Sequence, residues 1–228
     1  MNNTKPIKRR TRRFVSDSTT EVIQKRRTNV ERTAQTQRDL LEATIDCLFR
    51  LGYGATTTHV VAEAAGLSRG AMVHHYPTKA DLMAAAVRYA WEKEFAEMHE
   101  EVEKVKAGLP RFRAMIDVHW QIVQRPEDIA INEVRNGSRS DPELADAVHP
   151  IMAEIASDYA RFVGVQVRQA GLKPNEAMRG LTVTWVLALP MMAFYRAADP
   201  NSRMEQSLLA SLKSLQESLI KDQLGKSS

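Results

Sequence analysis

The chain has 228 residues, 43% of them hydrophobic, which suits one small and one larger globular domain. A single cysteine, Cys47, excludes a disulfide framework and a zinc site built on thiolates. No run of about eighteen apolar residues predicts a membrane span, and the basic N-terminus lacks the apolar stretch of a secretory signal, so the cytoplasm is the expected compartment.

The net charge of +4 hides an asymmetry, because residues 1–33 hold ten Lys/Arg against three Asp/Glu. The clusters Lys8-Arg9-Arg10-Thr11-Arg12-Arg13 and Lys25-Arg26-Arg27 have little apolar material around them. Residues 1–33 are therefore predicted to form a flexible basic extension. Such a segment is either a solvated tail or an arm that neutralises phosphates or enters a minor groove.

Cys47, with Thr44, Ile45, Leu48 and Leu51 as neighbours, reads as a packed residue of a first helix. Residues 56–79 then read as a helix-turn-helix. Thr57 or Thr58 can cap a short helix whose face carries Val61, Ala62 and Ala65. Gly66 supplies the left-handed stop, Leu67 the apolar turn residue, and Ser68 the next N-cap. The second helix spans roughly Arg69 to His75 and ends before Pro77. In such a motif the first residues of the second helix face base edges. That selects Ser68, Arg69, Gly70, Ala71, Val73 and His74, with Thr57, Thr58, His59 and Tyr76 as further DNA-binding candidates and His75 and Lys79 toward phosphates. On these residues alone a surface helical hairpin stays open as the other reading. His74-His75 could bind metal, though DNA contact explains the pair better.

This stretch resembles the DNA-binding domain of the tetracycline-repressor (TetR) family. The resemblance starts near Gln35 with a helix that carries Arg38, Leu41, Ala43, Phe49 and Gly52, then runs through Thr56-Thr57, Ala65-Gly66-Leu67-Ser68, Gly70, His75, Tyr76, Lys79 and Leu82. The family's usual Tyr two residues before the His is Val73 here, so a phosphate contact is lost and a methyl contact to thymine can replace it. The resemblance implies an N-terminal three-helix DNA-binding domain over 34–94. It also implies a ligand-binding and dimerisation domain over 95–228, and a repressor that binds a palindromic operator as a homodimer.

A long helix is expected from Thr78 to about Lys106, ended by Gly108 and Pro110. Others follow over Phe112–Val123, Asp128–Asn136 and from Asp141-Pro142-Glu143 to Ala170, with a kink at Pro150. Pro174-Asn175 opens a helix to Ala198, interrupted near Pro190, and the last runs from Ser202 to Leu224. No period-two pattern competes, so the fold class is all-α. Leu208, Leu212, Leu215 and Leu219 form a seam on the last helix that suits either intramolecular packing or self-association. The resemblance favours an intermolecular four-helix bundle of the last two helices.

The resemblance further implies a small-molecule pocket. His119, Trp120, Asn132, Arg135, Tyr159, Trp185 and Tyr195 are its candidate lining, for an apolar or aromatic effector that offers an acidic group to Arg135 or a polar one to His119 or Asn132. No cofactor, catalytic residue or metal site is expected. His99-Glu100-Glu101 lacks the second His of a zinc-protease helix, and no glycine-rich phosphate loop or G-x-S-x-G occurs. The alternatives are a nucleoid-type factor without a small ligand and a helical metal or carboxylate enzyme.

Overall fold

The computed structural model describes residues 17–199 and 204–225. Nine α-helices and no strand occur among the described residues, in agreement with the all-α expectation. They are α1 (Asp17–Ala55), α2 (Thr58–Ala64), α3 (Arg69–His75), α4 (Lys79–Glu103), α5 (Leu109–Ile122), α6 (Pro126–Ser138), α7 (Pro142–Gln169), α8 (Glu176–Ala198) and α9 (Met204–Gly225). Contacts divide the chain into residues 1–38 and 39–228, and α2 through α9 belong to the second unit.

Helical geometry begins at Asp17 rather than near Gln35, so residues 17–33, expected to be flexible, are helical. Good helix formers such as Glu21, Gln24, Lys25 and Arg26 outweigh the shortage of apolar residues there. Residues 1–16 of the basic extension lie outside the described residues. Within α1, Gly52 breaks the helix at φ 74°, and the Thr56 hydroxyl donates to the Gly52 carbonyl at 2.7 Å.

Local caps set the helix-turn-helix. Thr57 Oγ1 accepts from Val60 N–H at 3.2 Å. At the other end of α2, Gly66 sits at φ 66° and Leu67 N–H reaches the Ala62 carbonyl at 2.9 Å, a Schellman stop. Ser68 Oγ accepts from Ala71 N–H at 3.2 Å and opens α3. A capping box of Thr78 and Asp81 starts α4.

α4 is the axis of the body and packs along α5, α6 and α7. Its buried face carries Leu82, Met83, Ala86, Val87, Ala90, Trp91, Met98 and Val102. Residues 94 and 95, the expected domain boundary, lie in the middle of this helix. α5 starts at Leu109 and α6 at Pro126, each earlier than predicted, because Pro110 and Pro126 occupy first-turn positions where no N–H is needed. Pro150 and Pro190 sit inside α7 and α8, which run on as single helices, so the expected interruption near Pro190 does not occur.

α8 is long and apolar enough to cross a membrane, with a mean hydropathy of 1.4 over its most apolar window. Two separate faces account for that. Leu181, Trp185, Leu189 and Ala193 are buried in the body, while Val183, Leu187, Met191 and Tyr195 form an outward stripe at helical spacing.

Candidate nucleic-acid interface and effector pocket

Met72 is wholly buried and anchors α3 to the core. The opposite face presents Arg69, Gly70, Val73 and His74 outward, with Ala71 partly covered. His59 is exposed on α2 and Thr58 is half-buried. Thr57 and Ser68 spend their side-chain oxygens on helix caps, so their first role is to fix the turn. Tyr76 departs from the expectation of a DNA contact. Its ring is buried at 9% exposure, burial pushes its phenol pKa upward, and it belongs to the core. His75 is half-buried, with its ring 5.6 Å from that of His74.

Lys79 donates from Nζ to the Tyr53 carbonyl at 2.9 Å and lies 3.8 Å over the Tyr53 ring. Its partial burial lowers the ammonium pKa. One of its three donors is thus spent inside the chain. Tyr53 is held from two more directions. Its N–H donates to Glu133 Oε2 at 2.8 Å, and its hydroxyl donates to Asp141 Oδ2 at 2.6 Å. Gly137 lies against the same ring so closely that a Cβ there would fall 2.5 Å from Cδ1.

A cavity of about 220 Å³ opens in the body between α4, α5, α6, α7 and α8. Of the predicted lining, His119, Arg135 and Tyr159 reach it. The other four do not. Asn132 is buried and donates from Nδ2 to Asp128 Oδ2 at 2.8 Å. Trp185 is fully buried and donates from Nε1 to the Tyr159 hydroxyl at 3.2 Å, holding that ring from behind. Trp120 packs under the Arg196 guanidinium at 6.0 Å. Tyr195 stands on the outward stripe of α8.

Trp91, Glu94 and Asp128, which were not among the candidates from the sequence, also stand in the wall. A signal was present: Glu94 falls on the same stripe as Ala90, Trp91 and Met98, and Asp128 shares a face with Ile131 and Arg135. Charged residues at core positions are the informative exceptions. Burial, then Asp128 and Glu127, push Glu94 well above the usual carboxylate range. Burial pushes Asp128 up to about 7, against the pull of Arg135 and Asn132, and pushes His119 down to about 3, so its imidazole is neutral. Among the described residues, Glu94 Oε2 and His119 Nδ1 are buried without a hydrogen-bond partner. A larger hollow of about 280 Å³ lies between α4 and α7, but its charged Arg88 and Glu154 already pair at 2.7 Å.

The leucine seam of α9 is divided. Leu212 faces inward at 3% exposure, beside Gln216, whose Nε2 donates to the Phe112 carbonyl at 2.8 Å. Leu208 and Leu219 are partly buried against the same core. Leu215 alone of the four points out, 46% exposed. Among the described residues no group of three His, Cys, Asp or Glu could hold a metal ion.

The family model for bacterial regulatory proteins, tetR family, matches residues 40–86, which span the end of α1, the helix-turn-helix and the start of α4. An uncharacterised HTH-type transcriptional regulator of Mycobacterium tuberculosis, Rv2912c, is 23% identical over 192 residues, covering 83% of this chain and 96% of that protein. The HTH-type transcriptional regulator CymR of Pseudomonas putida is 36% identical over 109 residues, or 48% of this chain and 50% of CymR. Among solved structures, FadR of Bacillus subtilis in complex with stearoyl-CoA superposes with a TM-score of 0.60 at 16% identity, over 78% of this chain and 96% of FadR.

Proposed function

We propose that this chain, a member of the tetR family of bacterial regulatory proteins, is a ligand-responsive repressor that binds a palindromic operator as a homodimer. Its business is DNA binding and transcription control, not catalysis. The observation that carries the ligand response is the position of α6. One face of this helix lines the cavity with Asp128, Ile131 and Arg135, while Glu133 and Gly137 grip Tyr53.

A close-packed contact transmits displacement rather than absorbing it. An effector that moves α6 therefore moves Tyr53, the turn at Gly52 that leads into α2, and Lys79 at the first turn of α4. Two recognition helices must meet half-sites about one DNA turn, ~34 Å, apart. A shift of each helix-turn-helix changes that spacing and releases the operator. FadR holds stearoyl-CoA in the same fold, which supports a small-molecule effector here.

The dimer surface is assigned to the outward stripe of α8 with Leu215 of α9. A helix apolar on both sides needs a cover on both, and Leu187 is at once 60% exposed and part of the cavity wall. A partner on the stripe would then also close the pocket. The test is fluorescence anisotropy on DNA upstream of the chain's own gene, at several salt concentrations, beside sedimentation of the free protein. Binding no tighter than to scrambled DNA, or a monomer on the operator, refutes the reading.

A further inference from the structure

We infer that the effector is an organic cation, a small molecule with an apolar or aromatic body and one protonated nitrogen that sits against Glu94 and Asp128. The inference rests on the reading of this cavity as the effector site. Its apolar wall, with Trp91, Ile155, Tyr159 and Pro190, suits a hydrocarbon or ring, and cations are attracted to aromatic faces. The polar groups decide the charge. Two carboxyls line the cavity, each only 4% exposed. The single guanidinium among the lining residues, Arg135, is exposed to solvent, and its pull on both carboxyls is weaker than the push of burial.

Nearby charges are spoken for. Glu127 pairs with Lys93 at 2.6 Å, and Asn132 supplies Asp128 with one donor. Glu94 Oε2 and His119 Nδ1 remain buried without a hydrogen-bond partner among the described residues. A buried carboxylate left unpaired is costly, and a bound cation removes that cost. An ammonium carries three donors, and Glu94, Asp128 and the neutral His119 ring, in its Nδ1-acceptor tautomer, offer three acceptors. Burial raises both carboxyl pKa values above the ordinary range despite Arg135, which agrees with room for a second, buried cation. An anionic effector would meet two buried carboxyl groups and no buried counter-charge, and a hydrocarbon would leave Glu94 Oε2 unpaired. The acidic group expected for Arg135 from the sequence is thereby replaced by a basic one.

The test uses three probes of one shape on the full-length protein: 3-phenylpropan-1-amine, 3-phenylpropan-1-ol and 3-phenylpropanoate. Calorimetry should rank the amine about tenfold or more above the alcohol, with the carboxylate weakest. Glu94→Gln keeps the shape and should erase the amine's advantage while leaving the alcohol unchanged. Asp128→Asn should reduce the advantage in the same direction and serves if the first variant does not fold. The carboxylate binding tightest, amine and alcohol binding equally, or none of the three binding overturns the inference. Operator release is measured separately. An amine that binds in the stated order without loosening DNA upholds the ligand class and instead overturns the ligand-controlled repressor.

Discussion

Tyr53 and Asp141, 88 positions apart, are joined by a 2.6 Å hydrogen bond from the phenol to Oδ2. The same carboxylate caps α7 by accepting from Leu144 N–H through Oδ1 at 3.1 Å. One aspartate thus fixes the start of α7 and the turn that leads into the helix-turn-helix. The bond to Tyr53 and the caps hold Asp141 below the usual carboxylate range.

This junction should be sensitive to a single methyl. Gly137→Ala would place Cβ 2.5 Å from the Tyr53 ring, which forces the ring or α6 to shift and costs about 1–3 kcal/mol. Thermal unfolding should report the loss, and operator affinity should change in the absence of any effector. Tyr53→Phe keeps the ring and removes only the hydroxyl, so it should weaken the response to effector more than the fold. Wild-type DNA binding and wild-type release in both variants would show that Tyr53 does not carry the signal.

Arg69 is the first residue of α3, exposed and followed by Gly70, so its guanidinium is free to meet a base edge. Arg69→Ala should cost ~1–3 kcal/mol of operator affinity and relax preference at one position per half-site. Selection of binding sites from a random library by both proteins measures this. An unchanged consensus would remove Arg69 from the reading set.

The helix-turn-helix was readable because its determinants are local. Thr57, Gly66 and Ser68 each act over three to five residues, a range that sequence spacing describes directly. The pocket was only partly readable. Glu94 and Asp128 look like ordinary helix-surface acids until α4 is packed against α6, and only their place on an apolar stripe betrays them. Periodicity treats Leu212 and Leu215 alike, yet the position of α5 and α8 sends one inward and leaves the other out. The grip on Tyr53 involves partners 80 and 88 residues away, and no local pattern encodes it.

Leu212 is a poor probe of the dimer, since a charge there would unfold its own subunit. Leu187→Asp together with Leu215→Asp alters two outward residues. On the assigned interface these carboxylates would be buried unpaired, at several kcal/mol. Sedimentation should find a folded monomer with the wild-type circular dichroism spectrum and weak operator binding. A double variant that stays dimeric at micromolar concentration would place the interface elsewhere.

The buried acid should leave a mark on stability against pH. Between the ordinary carboxyl value of 3.8 and about 7, the unfolded chain has released the Asp128 proton and the native state has kept it. The unfolded state then binds fewer protons, so this group's contribution falls as pH rises through that window. His119 acts in the opposite sense. Its unfolded imidazole takes a proton below 6.5 and the buried one does not until about 3, so that contribution falls as pH drops. Asp128→Asn isolates the first effect. Its melting temperature relative to wild type should rise by a few degrees between roughly pH 5 and pH 7.5, where ~1 kcal/mol corresponds to about 2–4 °C. A difference that does not vary with pH would mean that Asp128 is ionised throughout.

The last expectation concerns the basic extension. The segment of α2 and α3 is not itself rich in cations: Arg69 is the one Lys or Arg between Thr57 and Tyr76, and Glu63 is exposed on α2. Strong non-specific attraction to DNA therefore has to come from elsewhere in the chain. Residues 1–16 hold six Lys/Arg and no acid. Each phosphate neutralised steepens the dependence of log affinity on log salt by about 0.9. Deleting residues 1–16 should leave folding and dimerisation intact, weaken operator and non-specific DNA alike, and flatten the salt slope by several such increments. If the segment enters an A·T-rich minor groove, preference for flanking A·T pairs should fade with it. Full-length and truncated protein titrated on one operator across a salt series decide the matter, and superimposable curves would reduce the extension to a solvated tail.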